Sequence, residues 1–319
     1  MSRPVAIRIC EMGPRDGLQN EPELVPVEAK IALVEALADA GVPEIEVGSF
    51  VNPKLVPRMA DTAEVFRRMR RREGTIYAAL VPNLRGAEAA IEAGAGKLAV
   101  FASASESFSR RNVNASIAET LERFTPVFEA ARIRRLPVRA YLSCAFGCPD
   151  EGPIEPHVAA MWSRELLDRG ASEIDVSDTI GVAVPIDVER VLEALAARSV
   201  PIEATAMHFH DTRGTAIANA WTAMQRGVAI LDSSCGGLGG CPFAPGATGN
   251  LATEDLLYLC SRSGVETGIE FDAVIGAAKS IGEVLGRTLP SRTLGSAIAS
   301  AACRADSSHD QSSRRSPSS

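Results

Sequence analysis

Ala206-Met207-His208-Phe209-His210-Asp211 is the run from which the fold is read. Its side chains alternate and then turn polar at Asp211-Thr212, the pattern of a buried strand that ends in a chemically equipped loop. Period two puts His208 and His210 on one strand face, and these are two of the chain's four histidines. Such a pair can bring two ring nitrogens to one metal ion without bending the backbone. The other reading is a hydrogen-bonded pair lining a pocket.

Working outward, the same unit recurs. The sequence predicts strands at Val5–Cys10, Glu44–Val47, Thr75–Leu80, Lys97–Ala102, Val138–Ser143, Glu173–Ser177, Thr205–His210 and Val228–Ser233, each followed by a loop and a helical pattern. The first helix, Val27 to Ala40, carries Ile31, Val34, Leu37 and Ala38 on one face and stops at Gly41. Eight strand-helix units without consecutive hairpins predict a parallel sheet closed into a (β/α)₈ TIM barrel, with a doubly wound open sheet as the rival. The polar clusters favour closure, because Arg15-Asp16, Ser49, Asp178, Asp211 and Cys241 all follow strands and a barrel gathers such loops at one rim. Helical patterns near Phe271–Leu285 and Leu294–Cys303 form a short C-terminal extension that lengthens the barrel or covers one end. One domain is therefore expected over residues 4–303, with the barrel at about 5–264 and the extra helices at about 265–303. The Ser- and Arg-rich tail, residues 304–319, has too little apolar surface to fold and is expected to be disordered.

A chain of 319 residues, 46% hydrophobic, buries a large core. A net charge of -7 argues against nucleic-acid binding. There is no signal-like start and no apolar run of about 18 residues, so a cytoplasmic protein outside the membrane is expected. Seven scattered cysteines fit reduced thiols. Cys144 and Cys148 have no second pair for a structural zinc.

Two residues join the histidines through the fold. Asp16, a turn former in its own right, and Asn250, equally a helix-start or left-handed turn residue, both reach the rim that His208 and His210 occupy. Two imidazoles, a carboxylate and an amide oxygen suit an octahedral divalent ion, Mg²⁺ or Mn²⁺, with two open positions. The run Gly236-Gly237-Leu238-Gly239-Gly240-Cys241 matches no nucleotide-binding spacing. It offers little apolar side chain in which to bury Cys241, which reads better as an acid or nucleophile delivered by a loop. Arg139, a charge within the fifth strand, is expected to meet a substrate or a carboxylate.

Five segments carry a family likeness: Glu11-Met12-Gly13-Pro14-Arg15-Asp16-Gly17-Leu18-Gln19-Asn20-Glu21, Ile45-Glu46-Val47-Gly48-Ser49-Phe50-Val51, Asp178-Thr179-Ile180-Gly181, His208-Phe209-His210-Asp211-Thr212 and Gly237-Leu238-Gly239-Gly240-Cys241-Pro242. In order and over nearly the whole folded chain, from about Val5 to Cys303, they resemble the hydroxymethylglutaryl-CoA lyase family of metal-dependent (β/α)₈ lyases and aldolases. The resemblance implies cleavage of 3-hydroxy-3-methylglutaryl-CoA to acetyl-CoA and acetoacetate, in leucine breakdown and ketone-body formation. It implies Asp16, His208, His210 and Asn250 as metal ligands and Arg15, Glu46, Asp178 and Cys241 as catalytic residues, with Gln19 and Ser49 as substrate contacts beside Arg139. For Glu46, holding Arg15 and transferring a proton are both open. An acyl-CoA substrate needs basic groups at the pocket mouth, and Lys54, Arg58, Arg110 and Arg111 lie in loops where they serve either that purpose or solvation. Related barrels often pair through their outer helices, so a homo-oligomer, dimer or tetramer, is expected.

Phe243, Arg213 and Gly48 depart from the tyrosine, tyrosine and threonine usual in that family. These departures widen the substrate reading to citramalyl-CoA or a longer 3-hydroxy-3-alkylglutaryl-CoA. Synthase relatives, which form the carbon-carbon bond, usually carry a sizeable further C-terminal region. Amidohydrolase-like metallohydrolases carry their H-x-H pair on the first strand, not the seventh.

Overall fold

The structure is a computed structural model and describes residues 3–240 and 249–300. Eight parallel strands close on themselves: β1 Arg8–Glu11, β2 Glu44–Ser49, β3 Ile76–Leu80, β4 Lys97–Ser103, β5 Val138–Ser143, β6 Glu173–Asp178, β7 Thr205–Phe209 and β8 Ile230–Ser233. Closure joins β8 to β1 in the register Arg8 to Ile230 through Glu11 to Ser233, so the barrel expectation holds and the open sheet is excluded. The strand predicted from Val5 begins only at Arg8, because Ala6 leaves the barrel to bridge Glu266.

Helices ring the sheet: α1 Val27–Asp39, α2 Thr62–Arg68, α3 Leu84–Glu92, α4 Glu106–Val113, α5 Ile117–Arg134, α6 Pro156–Asp168, α7 Pro185–Ala197, α8 Ala216–Gln225 and α9 Thr253–Ser263. α1 buries Leu33, Val34, Leu37 and Ala38, while Ile31 lies at the margin of that face. Ser116 and Glu119 cap the start of α5 reciprocally, satisfying two backbone donors that a helix end leaves open. A two-stranded hairpin, Gly147–Cys148 with Gly152–Pro153, interrupts the loop after β5 and was not anticipated. Of the C-terminal extension, α10 (Phe271–Leu285) packs on α1, and residues 292–300 are helical. Between them Ser291 donates its backbone N–H to Gly236 O, so the extension braces a rim loop. Cys303 and the tail fall outside the described residues.

The outer core is hydrocarbon, where strand and helix faces meet. Inside the barrel a small apolar group, including Met12, Leu80, Tyr141 and Ile230, is interleaved with buried charges. Glu44, Lys97 and Glu173 stand at the first positions of β2, β4 and β6, with Lys97 Nζ 2.9 Å from Glu44 and 3.1 Å from Glu173. Arg8 closes this floor by pairing with both carboxylates. Among the described residues no helix is long and apolar enough to cross a membrane.

Candidate active site

β1 ends at Glu11, and the chain then makes one wide turn, Gly13–Gly17, closed by Gly17 N–H to Met12 O at 3.1 Å. Gly13 is required there: its N–H donates to Glu11 Oε1 at 2.8 Å, and a Cβ would stand 2.7 Å from that oxygen. The turn presents Arg15 and Asp16 to the barrel mouth. β7 delivers His208, and His210 follows one residue past the strand end, where it bridges Asn250. The two imidazole centroids are 5.1 Å apart.

Asn250 Nδ2 donates to Asp16 Oδ2 at 2.8 Å and to Leu238 O at 3.0 Å. One donor atom from each of Asp16, His208 and His210 lies within 4.8 Å of the others. Among the described residues, Asn250 Oδ1 and His210 Nδ1 are buried without a hydrogen-bond partner. With its amide nitrogen engaged twice, Asn250 has its carbonyl oxygen left over. A carboxylate oxygen, an amide oxygen and imidazole nitrogens around one point fit a divalent cation. The glycine loop permits the approach, since a Cβ on Gly239 would sit 2.6 Å from Asn250 Nδ2 and one on Gly249 2.1 Å from Gly237 O.

The electrostatics suit the same ligand. Burial opposes ionisation of Asp16, yet Arg15, His210 and His208 hold its carboxyl down at about 2. Burial, reinforced by His208, pushes His210 down to about 4, toward the neutral ring that a metal needs. His208 is raised in spite of burial, because Asp232 accepts from or pairs with its Nδ1 at 3.1 Å.

Arg15 is buried and fixed from two sides. Its Nε donates to Glu46 Oε2 at 2.6 Å and its Nη1 to Asp16 Oδ1 at 2.6 Å. The guanidinium carbon stands 5.5 Å from the Tyr141 ring centroid, and Tyr141 Oη donates to the same Glu46 oxygen at 3.2 Å. Burial works against the charge of Arg15, but Glu46 and Asp16 more than offset it and its pKa is raised. Asp178 accepts Val182 N–H and Ala183 N–H, one on each oxygen, both at 2.9 Å. It thereby holds the loop after β6, and burial raises its carboxyl to about 6. Gln19 Oε1 and Ser49 Oγ reach the rim buried and, among the described residues, without partners.

Arg139 requires a correction. It was expected among the substrate contacts, but it is 1% exposed inside the barrel, with Nη2 2.7 Å from Asp175 and also paired to Asp232. It meets carboxylates of the strands, the other half of the sequence expectation, because a strand-borne guanidinium below the rim is costly unless paired. Arg110 and Arg111 lie in α4 and not in a loop, pairing with Glu106 and Asp150, while Arg58 donates to Glu21 O and Pro22 O and Lys54 is exposed after β2. Cys241 and Phe243 lie outside the described residues.

The sequence reading missed Asp232, Tyr141 and the carboxylates Glu11 and Glu254. Glu11 accepts from Gly13 N–H, Cys235 N–H at 2.8 Å and Thr253 Oγ1 at 2.6 Å, and Glu254 accepts Gly236 N–H on both oxygens. Together they clamp the root of the glycine loop. The available signal was an acid at an inward strand position or at a helix start beside that loop.

With this geometry in view, comparison with known proteins is decisive. The HMGL-like family model matches residues 6–281. The chain belongs to that family, the hydroxymethylglutaryl-CoA lyases. It is 50% identical over 301 residues to the 3-hydroxy-3-isohexenylglutaryl-CoA/hydroxy-methylglutaryl-CoA lyase of Pseudomonas aeruginosa, covering 94% of this chain and 100% of that one. It is 46% identical to the mitochondrial hydroxymethylglutaryl-CoA lyase of Bos taurus, covering 94% of this chain and 91% of the relative. The crystal structure of hydroxymethylglutaryl-CoA lyase from Pseudomonas aeruginosa superposes with a TM-score of 0.92 over 94% of this chain and 100% of that chain, at 50% identity. Within this lyase family fold, the rim motifs Arg15-Asp16, His208-Phe209-His210 and Asn250 are the segments whose side chains meet.

Proposed function

We propose that this protein cleaves 3-hydroxy-3-methylglutaryl-CoA to acetyl-CoA and acetoacetate. The observation that carries the reading is the junction of Asn250 and Asp16 beside the paired imidazoles, with Arg15 locked against the same carboxylate. Asp16, His208, His210 and Asn250 would hold a divalent ion, Mg²⁺ or Mn²⁺. Such an ion supplies Lewis acidity that makes a substrate hydroxyl easier to deprotonate.

This chain's own groups account for the remaining work. The C3 hydroxyl gives its proton to a base at the rim, its O–H electrons form the new carbonyl, and the C2–C3 bond breaks toward C2. The negative charge that develops on the thioester oxygen needs a fixed cation. Arg15 suits that need, since Glu46 and Asp16 hold its plane before substrate arrives. Glu46 serves in this reading as the partner that orients Arg15, and Asp178 as the anchor of the loop carrying Ile180 and Gly181. Gln19 and Ser49, whose buried oxygens have no partner among the described residues, would orient the acyl group. Cys241 would return the proton to C2. The test is incubation with Mg²⁺ and 3-hydroxy-3-methylglutaryl-CoA: acetoacetate should form and a chelator should stop it. Absence of acetoacetate with loaded protein would overturn the reading.

A second reading, a longer 3-alkyl substituent, is favoured by the isohexenyl substrate in the name of the Pseudomonas aeruginosa relative. A cavity of about 680 Å³, lined by Phe146, Ile154, Ile180, Val182 and Val191 together with Glu155, Asp187 and Arg190, adjoins the loop that Asp178 anchors. The Arg213 guanidinium is turned to Ile180 O and Gly181 O, and Thr62 fills the space beside Gly48. Competition between the two acyl-CoA substrates separates the readings by kcat/KM.

A further inference from the structure

The charged interior of the barrel reaches the paired imidazoles through Asp232. Asp232 sits at the third position of β8, 1% exposed, with one oxygen on His208 Nδ1 at 3.1 Å and the other on Arg139 Nη2. Arg139 Nη2 is also 2.7 Å from Asp175, and Arg139 Nε is 3.4 Å from Glu173 in the floor of the barrel. Three cations, Arg8, Lys97 and Arg139, therefore face four carboxylates, Glu44, Glu173, Asp175 and Asp232. The carboxylate closest to the mouth is the one that His208 meets. A buried acid is expensive without a cation, and Arg139 supplies it.

We propose that Asp232, held by Arg139, is a positioning residue that keeps the proton of His208 on Nδ1 and leaves Nε2 free for the divalent ion. An imidazole offers a metal only its unprotonated nitrogen, and the hydrogen bond on the other nitrogen decides which one that is. Asp232 is acceptor-only when paired with a guanidinium, so it selects the Nδ1–H form. Arg139 acts one step further back, by fixing where the carboxylate stands. Its cost of burial is offset by the carboxylates of this arrangement. The inference rests on the assignment of His208 as a metal ligand.

The test uses the full chain freed of metal and titrated with Mn²⁺ by calorimetry. Asp232→Asn presents an amide that can donate to Nδ1 and so favours the wrong tautomer, and it is expected to weaken Mn²⁺ binding about 10- to 100-fold. Arg139→Gln should weaken it in the same direction and Arg139→Lys should recover most of the loss. In the wild-type protein with Mg²⁺, ¹⁵N-histidine NMR should find His208 protonated at Nδ1. The other imidazoles, His157, His210 and His309, are assigned by single His→Gln variants. This spectrum needs no variant at Asp232 and decides the matter if Asp232→Asn fails to fold. Wild-type affinity in Asp232→Asn, or a His208 proton on Nε2, would overturn the proposal while leaving the ligand set standing. A wild-type protein that takes up no Mn²⁺ would overturn the ligand set and this inference together.

Discussion

Replacing Arg15 by lysine keeps the positive charge and removes the geometry. The guanidinium makes two bonds at 2.6 Å in different directions, from Nε to Glu46 and from Nη1 to Asp16, and it stacks over Tyr141. A lysine ammonium is a single point on a flexible stem and cannot span both carboxylates while facing the substrate. Two losses follow. The first is stability: one charge-assisted hydrogen bond goes, at a cost of roughly 1.5–3 kcal/mol, lowering Tm by several degrees. The second is catalysis, where removing a preorganised donor from a developing oxyanion costs about 10²–10³ in kcat, or roughly 2.7–4 kcal/mol. The assay is initial-rate acetoacetate formation at saturating Mg²⁺, with Mn²⁺ affinity measured in parallel. We expect kcat to fall by that factor, KM to change little and Mn²⁺ to bind within a few-fold of wild type. Arg15→Lys with near-normal kcat would refute the argument, and a drop explained wholly by lost metal would move the role of Arg15 to holding Asp16.

Other expectations follow from the same geometry. Asn250→Ala removes the buried Oδ1 and the bond to Asp16, and Mn²⁺ affinity by calorimetry should fall at least tenfold with no larger change in Tm than a few degrees. Gly249→Ala would drive a Cβ to 2.1 Å from Gly237 O, so the loop must shift at a cost of about 1–3 kcal/mol, seen in thermal melts, and turnover should be lost with it. Burial raises Glu11 to about 7 and Glu254 to about 8. Acids that hold protons longer when folded stabilise the fold below their unfolded value, near 4.5, and that contribution is lost as pH rises through 7 and 8; Tm should decline between pH 5 and 8, and a rise across that window would contradict it. Asp16, held at about 2, has the opposite sign: its share is present above about 4 and is lost as pH falls through 2.

The barrel was legible because every unit repeats one signal, an apolar strand running into a polar loop, and closure follows once eight are counted. That Asp16, His208, His210 and Asn250 come together was legible through position, since Asp16 and His210 lie just past strands, His208 near the end of one and Asn250 in the loop that follows the last. Arg139 was harder, because a charge in a strand says only that it must be paired, and the partners come from β6 and β8, far away in sequence. Asp232 lay in a run that reads as an ordinary buried strand, and its inward position signals a buried acid without naming the histidine it meets. The hairpin after β5 escaped for a simpler reason, that two residues per strand are too few to show alternation.

The hydrogen bond between Asn250 and Asp16 spans 234 positions of sequence. A growing polypeptide leaving the ribosome would therefore carry Asp16 early, both imidazoles much later, and would lack the amide until the eighth strand had been made and had docked beside the first. If these residues hold the ion as proposed, tight capture would follow only after that docking, and cation uptake would report the end of maturation. The ion would then stabilise the finished ring by mass action, sealing the seam where its first and last staves meet.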